Sequence, residues 1–320
     1  MLVRFWGTRG SLPVAPTADT IQKKIAQALV SADGRRFADE AEAERFVEND
    51  LTFAAGATYG GATPCVELEA GHGSYFICDM GSGLRPFGLD SFRRNAAGHD
   101  KTYNFFLSHL HWDHIMGFPF FAPAFDPSVT IRIHAGHPDA EEALRRQQEE
   151  ISFPVAFDWL KASIEFVRLT PGEPHDVDGV TVETKLQHHS HGSYGYRFTD
   201  KSGRSVIYST DSEHKLDKMA VEAAFIQFFR QADLVICDTM YSLADSVSMK
   251  EDWGHSSNIV AVDLCHEAKA RRLALFHHEP TYDDEDIERM HQETIRYEEL
   301  TRDGEPLEVI CSYDGLELRI

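Results

Sequence analysis

Short runs of apolar and aromatic residues, bounded by glycine, proline and polar clusters, alternate along the chain with stretches in which apolar residues recur every three or four positions. The runs at 2–6, 65–69, 74–78, 102–107, 129–134, 181–186, 194–198, 204–209, 234–237 and 272–276 read as strands, and two more close the chain. Gly71-His72-Gly73 between the second and third is hairpin chemistry. Helical spacing marks 216–230, through Leu216, Met219, Ala223 and Ile226. It also marks 258–268, behind the N-capping Ser256 and Ser257. A polar surface helix is expected over 139–150 and an acidic one over 283–300, with a polar loop running to Trp253. Between about 17 and 53, Ile21, Ile25, Ala28 and Leu29, then Ala43, Phe46 and Val47, predict two helices separated by Asp33-Gly34. Strands and helices alternate without repeat or low-complexity linker, which predicts two β-rich layers covered by helices.

Two segments resist this pattern. Residues 79–84, Asp-Met-Gly-Ser-Gly-Leu, form a glycine-rich turn after a strand but lack the lysine and spacing of a nucleotide-binding loop. Residues 118–123 are aromatic and punctuated by Pro119 and Pro123. They are read as core packing beneath a sheet, with a hydrophobic wall for a substrate as the alternative.

Composition narrows the class. With 42% hydrophobic residues, the 320-residue chain has the makings of a large soluble core. Its 52 acidic residues against 31 lysines and arginines give a net charge of −21. That argues against binding extended nucleic acid, which needs many neutralising cations, but leaves room for a small anionic substrate. Five scattered cysteines without C-x-x-C spacing fit a reducing compartment, and no apolar run approaches membrane-spanning length. A cytoplasmic protein without membrane association is expected.

The candidate chemistry begins where the strand at 102–107 ends. His109, His111, Asp113 and His114 put three imidazoles and a carboxylate within six residues. Such a cluster could be a polar strand end, but four metal-competent groups at this spacing rarely serve packing. Imidazole and carboxylate without thiolate suit zinc, or manganese or iron. A hydrolytic site for two cations needs further ligands, and later strand ends offer them. They are His188, His189 and His191 in one turn, Asp211 after the strand at 204–209, and His277-His278 after the strand at 272–276.

Taken together, the H-x-H-x-D-H of 109–114 and several flanking motifs resemble the metallo-β-lactamase-fold hydrolases, in the branch of RNase Z and related metal-dependent phosphodiesterases. The flanking motifs are Phe5-Trp-Gly-Thr-Arg-Gly-Ser-Leu-Pro13, Tyr59-Gly-Gly-Ala-Thr-Pro-Cys-Val66, Asp79-Met-Gly-Ser-Gly83, Gly195-Tyr-Arg197, Ser209-Thr-Asp211, Gly254-His-Ser-Ser257 and His277-His-Glu-Pro280. The resemblance implies an α+β fold, a four-layer αββα sandwich, as a single domain over 1–320; the helical insertion at about 15–57 departs from its common core. It also implies two divalent metal ions, zinc first among the candidates. His109, His111 and a histidine of the 188–191 turn, with His189 best placed, would hold one metal. Asp113, His114 and His277, preferred over His278, would hold the other, with Asp211 as the bridge. Asp113 could in addition take a proton from the attacking water, and His255 would assist the leaving group. The alternative for His255 is a neighbour of a helix cap that orders the loop.

The leading expectation is therefore a dinuclear metal-dependent phosphodiesterase, using metal-bound hydroxide on a small phosphodiester such as a cyclic nucleotide. The first alternative is a lactone, thioester or β-lactam hydrolase on the same metals, and the second a non-catalytic metal-binding sensor or interaction module. The helical insertion could be a lid, a decoration or the surface of a homodimer. No basic, glycine-rich arm for holding tRNA is found, so tRNA processing is not expected.

Overall fold

A computed structural model describes residues 1–70, 73–214, 219–242 and 253–320. Two seven-stranded sheets face each other. The first is built from β1 (Leu2–Gly7), β2 (Cys65–Glu69), β3 (Tyr75–Cys78), β4 (Thr102–Leu107), β5 (Thr130–Ala135), β6 (Ser163–Arg168) and the last strand, β14 (Glu317–Arg319). Its order is β14-β1-β2-β3-β4-β5-β6. The second contains β7 (Pro174–Val177), β8 (Val180–Gln187), β9 (Ser193–Thr199), β10 (Ser205–Ser209), β11 (Leu234–Asp238), β12 (Arg272–Phe276) and β13 (Glu308–Cys311), in the order β13-β12-β11-β10-β9-β8-β7. The hairpin β2–β3 is antiparallel, as its turn residues predict, although Gly71 and His72 themselves lie outside the described residues.

Side-chain alternation along each strand feeds two cores at once. On β4, Tyr103, Phe105 and Leu107 pack outward with Phe87, Phe118 and Phe121, while Phe106 points inward. It joins Phe5, Phe76, Tyr196, Tyr208 and Phe276 between the sheets. The outer face of the second sheet packs Ile207, Val235 and Leu273 under the helix Asn258–Ala268. This is the α+β, αββα layering that the resemblance implies. No helix among the described residues is long and apolar enough to cross a membrane. All five cysteines are buried and none is disulfide-bonded.

Three elements depart from the sequence pattern. Leu84–Ala96 is a helix, burying Leu84, Phe87 and Ser91 on one face. Pro86 in its first turn needs no N–H there, so proline and glycine punctuation conceals a real helix. Strand β6 is half-exposed and Pro174 opens the short strand β7, an allowed place for proline. Both are edge elements without a full apolar run, which is why periodicity passes over them. The helices expected between 17 and 53 are Ala18–Ser31, capped by Thr17, and Glu40–Asp50, capped by Asp39. The first buries none of its residues. Of the loop expected up to Trp253, residues 243–252 fall outside the described residues, as does 216–218 of the expected helix, whose described part is Met219–Phe229.

What positions the site is strand direction. β3 through β6 run parallel, and so do β10 through β13. The residues that follow β10, β11 and β12 therefore emerge along one edge of the second sheet, against the turn that follows β4 of the first.

Candidate metal centre

The turn after β4 and one helical turn at Trp112–Ile115 carry His109, His111, Asp113 and His114. They meet His189 from the β8–β9 connection, Asp211 directly after β10 and His277 directly after β12. Two sets of ligand atoms result, His109, His111, His189 and Asp211 in one and Asp113, His114 and His277 in the other, each within 4.8 Å of its fellows, and a third set, Asp211, His255 and His277, overlaps both. Asp211 joins them. Its Oδ2 lies 3.5 Å from His109 Nε2 and 3.6 Å from His189 Nε2, and its Oδ1 lies 3.1 Å from His114 Nε2 and 3.2 Å from His277 Nε2. Asp113 Oδ2 stands 3.1 Å from His114 Nε2 and 3.3 Å from His277 Nε2. Where metal–ligand bonds of 2.0–2.1 Å radiate tetrahedrally, ligand atoms sit about 3.3 Å apart, so these spacings would suit residues gathered around a metal ion.

The chemistry of the donors agrees. His189 Nδ1 donates to the Gly254 carbonyl at 2.9 Å and His114 Nδ1 to Asp79 Oδ2 at 2.7 Å, while His109 Nδ1 lies 3.0 Å from Ser108 Oγ. With Nδ1 engaged, each ring turns Nε2 inward as the nitrogen that would ligate. His109 Nε2 is buried without a hydrogen-bond partner among the described residues, as a nitrogen reserved for a cation would be. The rivals are placed elsewhere. His188 and His191 are exposed, and His278 donates through Nε2 to the Ser312 carbonyl at 2.8 Å, away from the cluster. Two glycines let backbone press against the ligand rings. A Cβ on Gly10 would stand 2.6 Å from His277 Nδ1, and one on Gly254, whose φ is +85°, would stand 2.4 Å from His189 Nδ1.

Residues 89–278, more than half of the chain, match the Beta-lactamase superfamily domain. The chain belongs to this superfamily. Among curated relatives it is similar to the Ribonuclease Z of Oceanobacillus iheyensis, 23% identical over 242 residues that cover 60% of this chain and 76% of that protein. Among solved structures it resembles the metallo-beta-lactamase fold protein YhfI from Bacillus subtilis, with a TM-score of 0.63, 19% identity and coverage of 99% and 98% of the two chains. It also resembles the Zn(2+)-bound PqqB from Methylobacterium extorquens, with a TM-score of 0.61 and 13% identity over the full length of both chains. The beta-lactamase superfamily membership agrees with the resemblance read from the sequence and makes the chain a metal-dependent hydrolase.

In this superfamily member the site's charges are set by burial and mutual contact. Burial pushes His109, His111 and His189 below the usual imidazole range, leaving them neutral and able to ligate. Burial works against ionising Asp113 and Asp211, yet the imidazoles beside them, His114 foremost for Asp113 and His277 for Asp211, hold both well below the usual carboxylate range. Burial likewise opposes a proton on His114, but Asp113, Asp211 and Asp79 together raise it well above its ordinary value. A cluster that draws a proton to that position is calling for positive charge, which a cation supplies better.

Over the two sets sits His255, its ring stacked on His277 at 5.1 Å. Its Nδ1 donates to Asp238 Oδ2 at 2.7 Å. Burial opposes protonation, but the Asp238 carboxylate carries His255 up to about 9. Two residues of this arrangement escape sequence reasoning. Asp79 closes its strand only as the head of a glycine-rich turn, and Asp238 is the last residue of β11. Both are strand-end carboxylates, and pairing every such carboxylate with every candidate histidine is the signal that could have found them.

Proposed function

We propose that the chain is a dinuclear phosphodiesterase acting on a small phosphodiester such as a cyclic nucleotide. The observation that carries this reading is the sharing of Asp211. Its Oδ2 lies near His109 and His189 and its Oδ1 near His114 and His277, so one carboxylate could serve two cations at once. His109, His111 and His189 would hold the first cation, and Asp113, His114 and His277 the second, with zinc the leading candidate for both. Bound cations would supply an activated water near neutral pH and positive charge to offset the phosphoryl oxygens.

The residues of the chain then have distinct tasks. Asp113 accepts a hydrogen bond from the Ser11 backbone N–H at 2.8 Å, which fixes its carboxylate where it can also accept a proton from the attacking water. With Nδ1 held by Asp238, His255 keeps Nε2 for the leaving oxygen, and its raised pKa supports a role as proton donor. Lactones and β-lactams also need a proton on the leaving atom, so what favours the phosphodiester is the Gly254-His-Ser-Ser257 loop that carries this histidine and its likeness to the corresponding loop of RNase Z. Ribonuclease Z, by its name a nuclease, is the relative on this side. The net charge of −21 supports a compact substrate rather than a long nucleic acid.

Purified protein loaded with zinc, offered bis-p-nitrophenyl phosphate, cyclic nucleotides, lactones and β-lactams, tests the reading. Turnover of the phosphodiesters is expected. Its absence with both metals bound, or hydrolysis of lactones or β-lactams alone, overturns it.

A further inference from the structure

A cleft of about 920 Å³ runs outward from the metal centre, with His109 and His111 forming its inner end. A volume of that order suits a small molecule rather than a macromolecular segment. One wall is aromatic. Trp112, which lies between two candidate ligands in sequence, is 80% exposed, and Phe120 is 56% exposed with Phe153 edge-on to it at 5.4 Å. These rings are not core residues left at the margin, since Phe118 and Phe121 of the same segment are fully buried. Two rings of the segment thus pack in the core, as its sequence suggests, while a third lines the cleft.

Another part of the lining is polar. It comes from the helix Ala140–Gln147, where Arg146 pairs with Glu142 and Gln147 lines the cleft. Gln147 Nε2 is buried and has no hydrogen-bond partner among the described residues. Without a partner there, the amide can turn to offer either its N–H or its oxygen to a polar group in the cleft that Gln147 lines. A purely aliphatic group would satisfy the aromatic wall and leave this donor unmet.

We infer that the cleft binds a planar heteroaromatic group of the substrate, stacked on Trp112 and hydrogen-bonded at its edge by Gln147, while the phosphodiester of the same molecule lies at the metal centre. This inference rests on the phosphodiesterase reading and adds the specificity-determining residues to it. Stacking on an exposed aromatic face tolerates any base, whereas the single amide distinguishes ring edges by their acceptors.

The experiment compares adenosine 3′,5′-cyclic phosphate with the same sugar cyclic phosphate bearing a methoxy group in place of the base, using zinc-loaded protein. In parallel, the binding of adenosine, which has no phosphate, is followed through tryptophan fluorescence. Trp112→Leu is expected to lower the kcat/KM preference for the base-bearing substrate at least tenfold and to abolish adenosine-induced quenching, with Trp112→Phe recovering most of the preference. Gln147→Leu, remote from the ligands, is expected to lower the preference about fivefold. An unchanged preference in both Trp112→Leu and Gln147→Leu overturns the inference. If the wild type turns over neither phosphodiester, the phosphodiesterase reading fails by itself. The cleft is then judged by adenosine alone, where quenching lost in Trp112→Leu supports it and no quenching in the wild type overturns it.

Discussion

Asp79 Oδ2 accepts from His114 Nδ1, Ser108 Oγ and Tyr208 Oη, each at 2.7 Å, and Asp79 Oδ1 accepts from the Ser108 backbone N–H at 2.7 Å. All four partners are donors, so an amide in place of the carboxylate must turn its NH₂ toward at least one of them. Asp79→Asn is therefore expected to release the His114 ring and to weaken metal binding by about 10- to 100-fold, the usual cost of losing a hydrogen bond that orients a ligand histidine. Metal content after dialysis against buffers of defined zinc concentration measures this directly. For His255 the expectation is the reverse. His255→Ala keeps its metal and loses about 100-fold or more in phosphodiester turnover, the usual contribution of a positioned general acid. Unchanged turnover would make His255 a structural neighbour of the helix cap. The spacing of 109–114 was enough to mark the start of this site. The choice of His189 over His188 and His191 was open in the sequence, because adjacent histidines in a turn differ only in the direction of their side chains. Asp79 and Asp238 could not be assigned roles there, since Asp79 meets His114 only through the parallel pairing of β3 and β4, and Asp238 meets His255 only where the long connection after β11 folds back on it.

The same limit applies to whole elements, and most clearly where the two sheets meet away from the metal centre. Asp178, in the β7–β8 turn of the second sheet, accepts from Ser74 Oγ at 2.8 Å and Asn104 Nδ2 at 2.9 Å, and Asn104 Oδ1 lies 3.2 Å from His134 Nε2 on β5. Strand β7 was not legible because it is a short edge element, so this inter-sheet network was invisible too. His134 is buried, stacked on Phe106 at 4.8 Å, and its Nδ1 has no partner among the described residues. Burial, helped by the Arg132 guanidinium, pushes it down from 6.5 to about 4. The unfolded chain therefore takes up this proton first as pH falls. The stability contributed by the neutral ring is complete above pH 6.5 and is lost progressively toward pH 4, by about 3 kcal/mol in total. Urea denaturation of the wild type and His134→Gln across that window checks the prediction. The variant should lose less stability between pH 7 and pH 4, and parallel curves would count against it. The insertion helices, by contrast, were legible as helices from local spacing and caps. Their packing was not, since the apolar face of Ala18–Ser31 buries none of its residues, with Ile25 at 55% and Leu29 at 70% exposure.

At the scale of the whole molecule, the metal centre ties the two sheets together. His109, His111, Asp113 and His114 follow a strand of the first sheet, and His189, Asp211 and His277 belong to the second. Cations held between them would cross-link layers that also meet through the apolar core and through polar bridges. They would also offset buried carboxylates in a chain already at −21. Folding and metal binding are then linked, because the unfolded chain holds no such constellation and metal favours the folded state by mass action. At free zinc one hundredfold above the dissociation constant, each site adds about 2.7 kcal/mol, which for a chain of this length raises the melting temperature by roughly 4 °C. Calorimetry of chelator-treated protein with and without added zinc should show that increment, doubled when both sites fill. Asp211→Asn supplies the decisive comparison, because its side chain serves both sets. If one carboxylate bridges the cations, the variant melts near the chelator-treated wild type and loses most of the zinc response of both sites together. If instead the variant keeps one site's full increment, the two sets bind independently and the shared-carboxylate geometry is not what holds them.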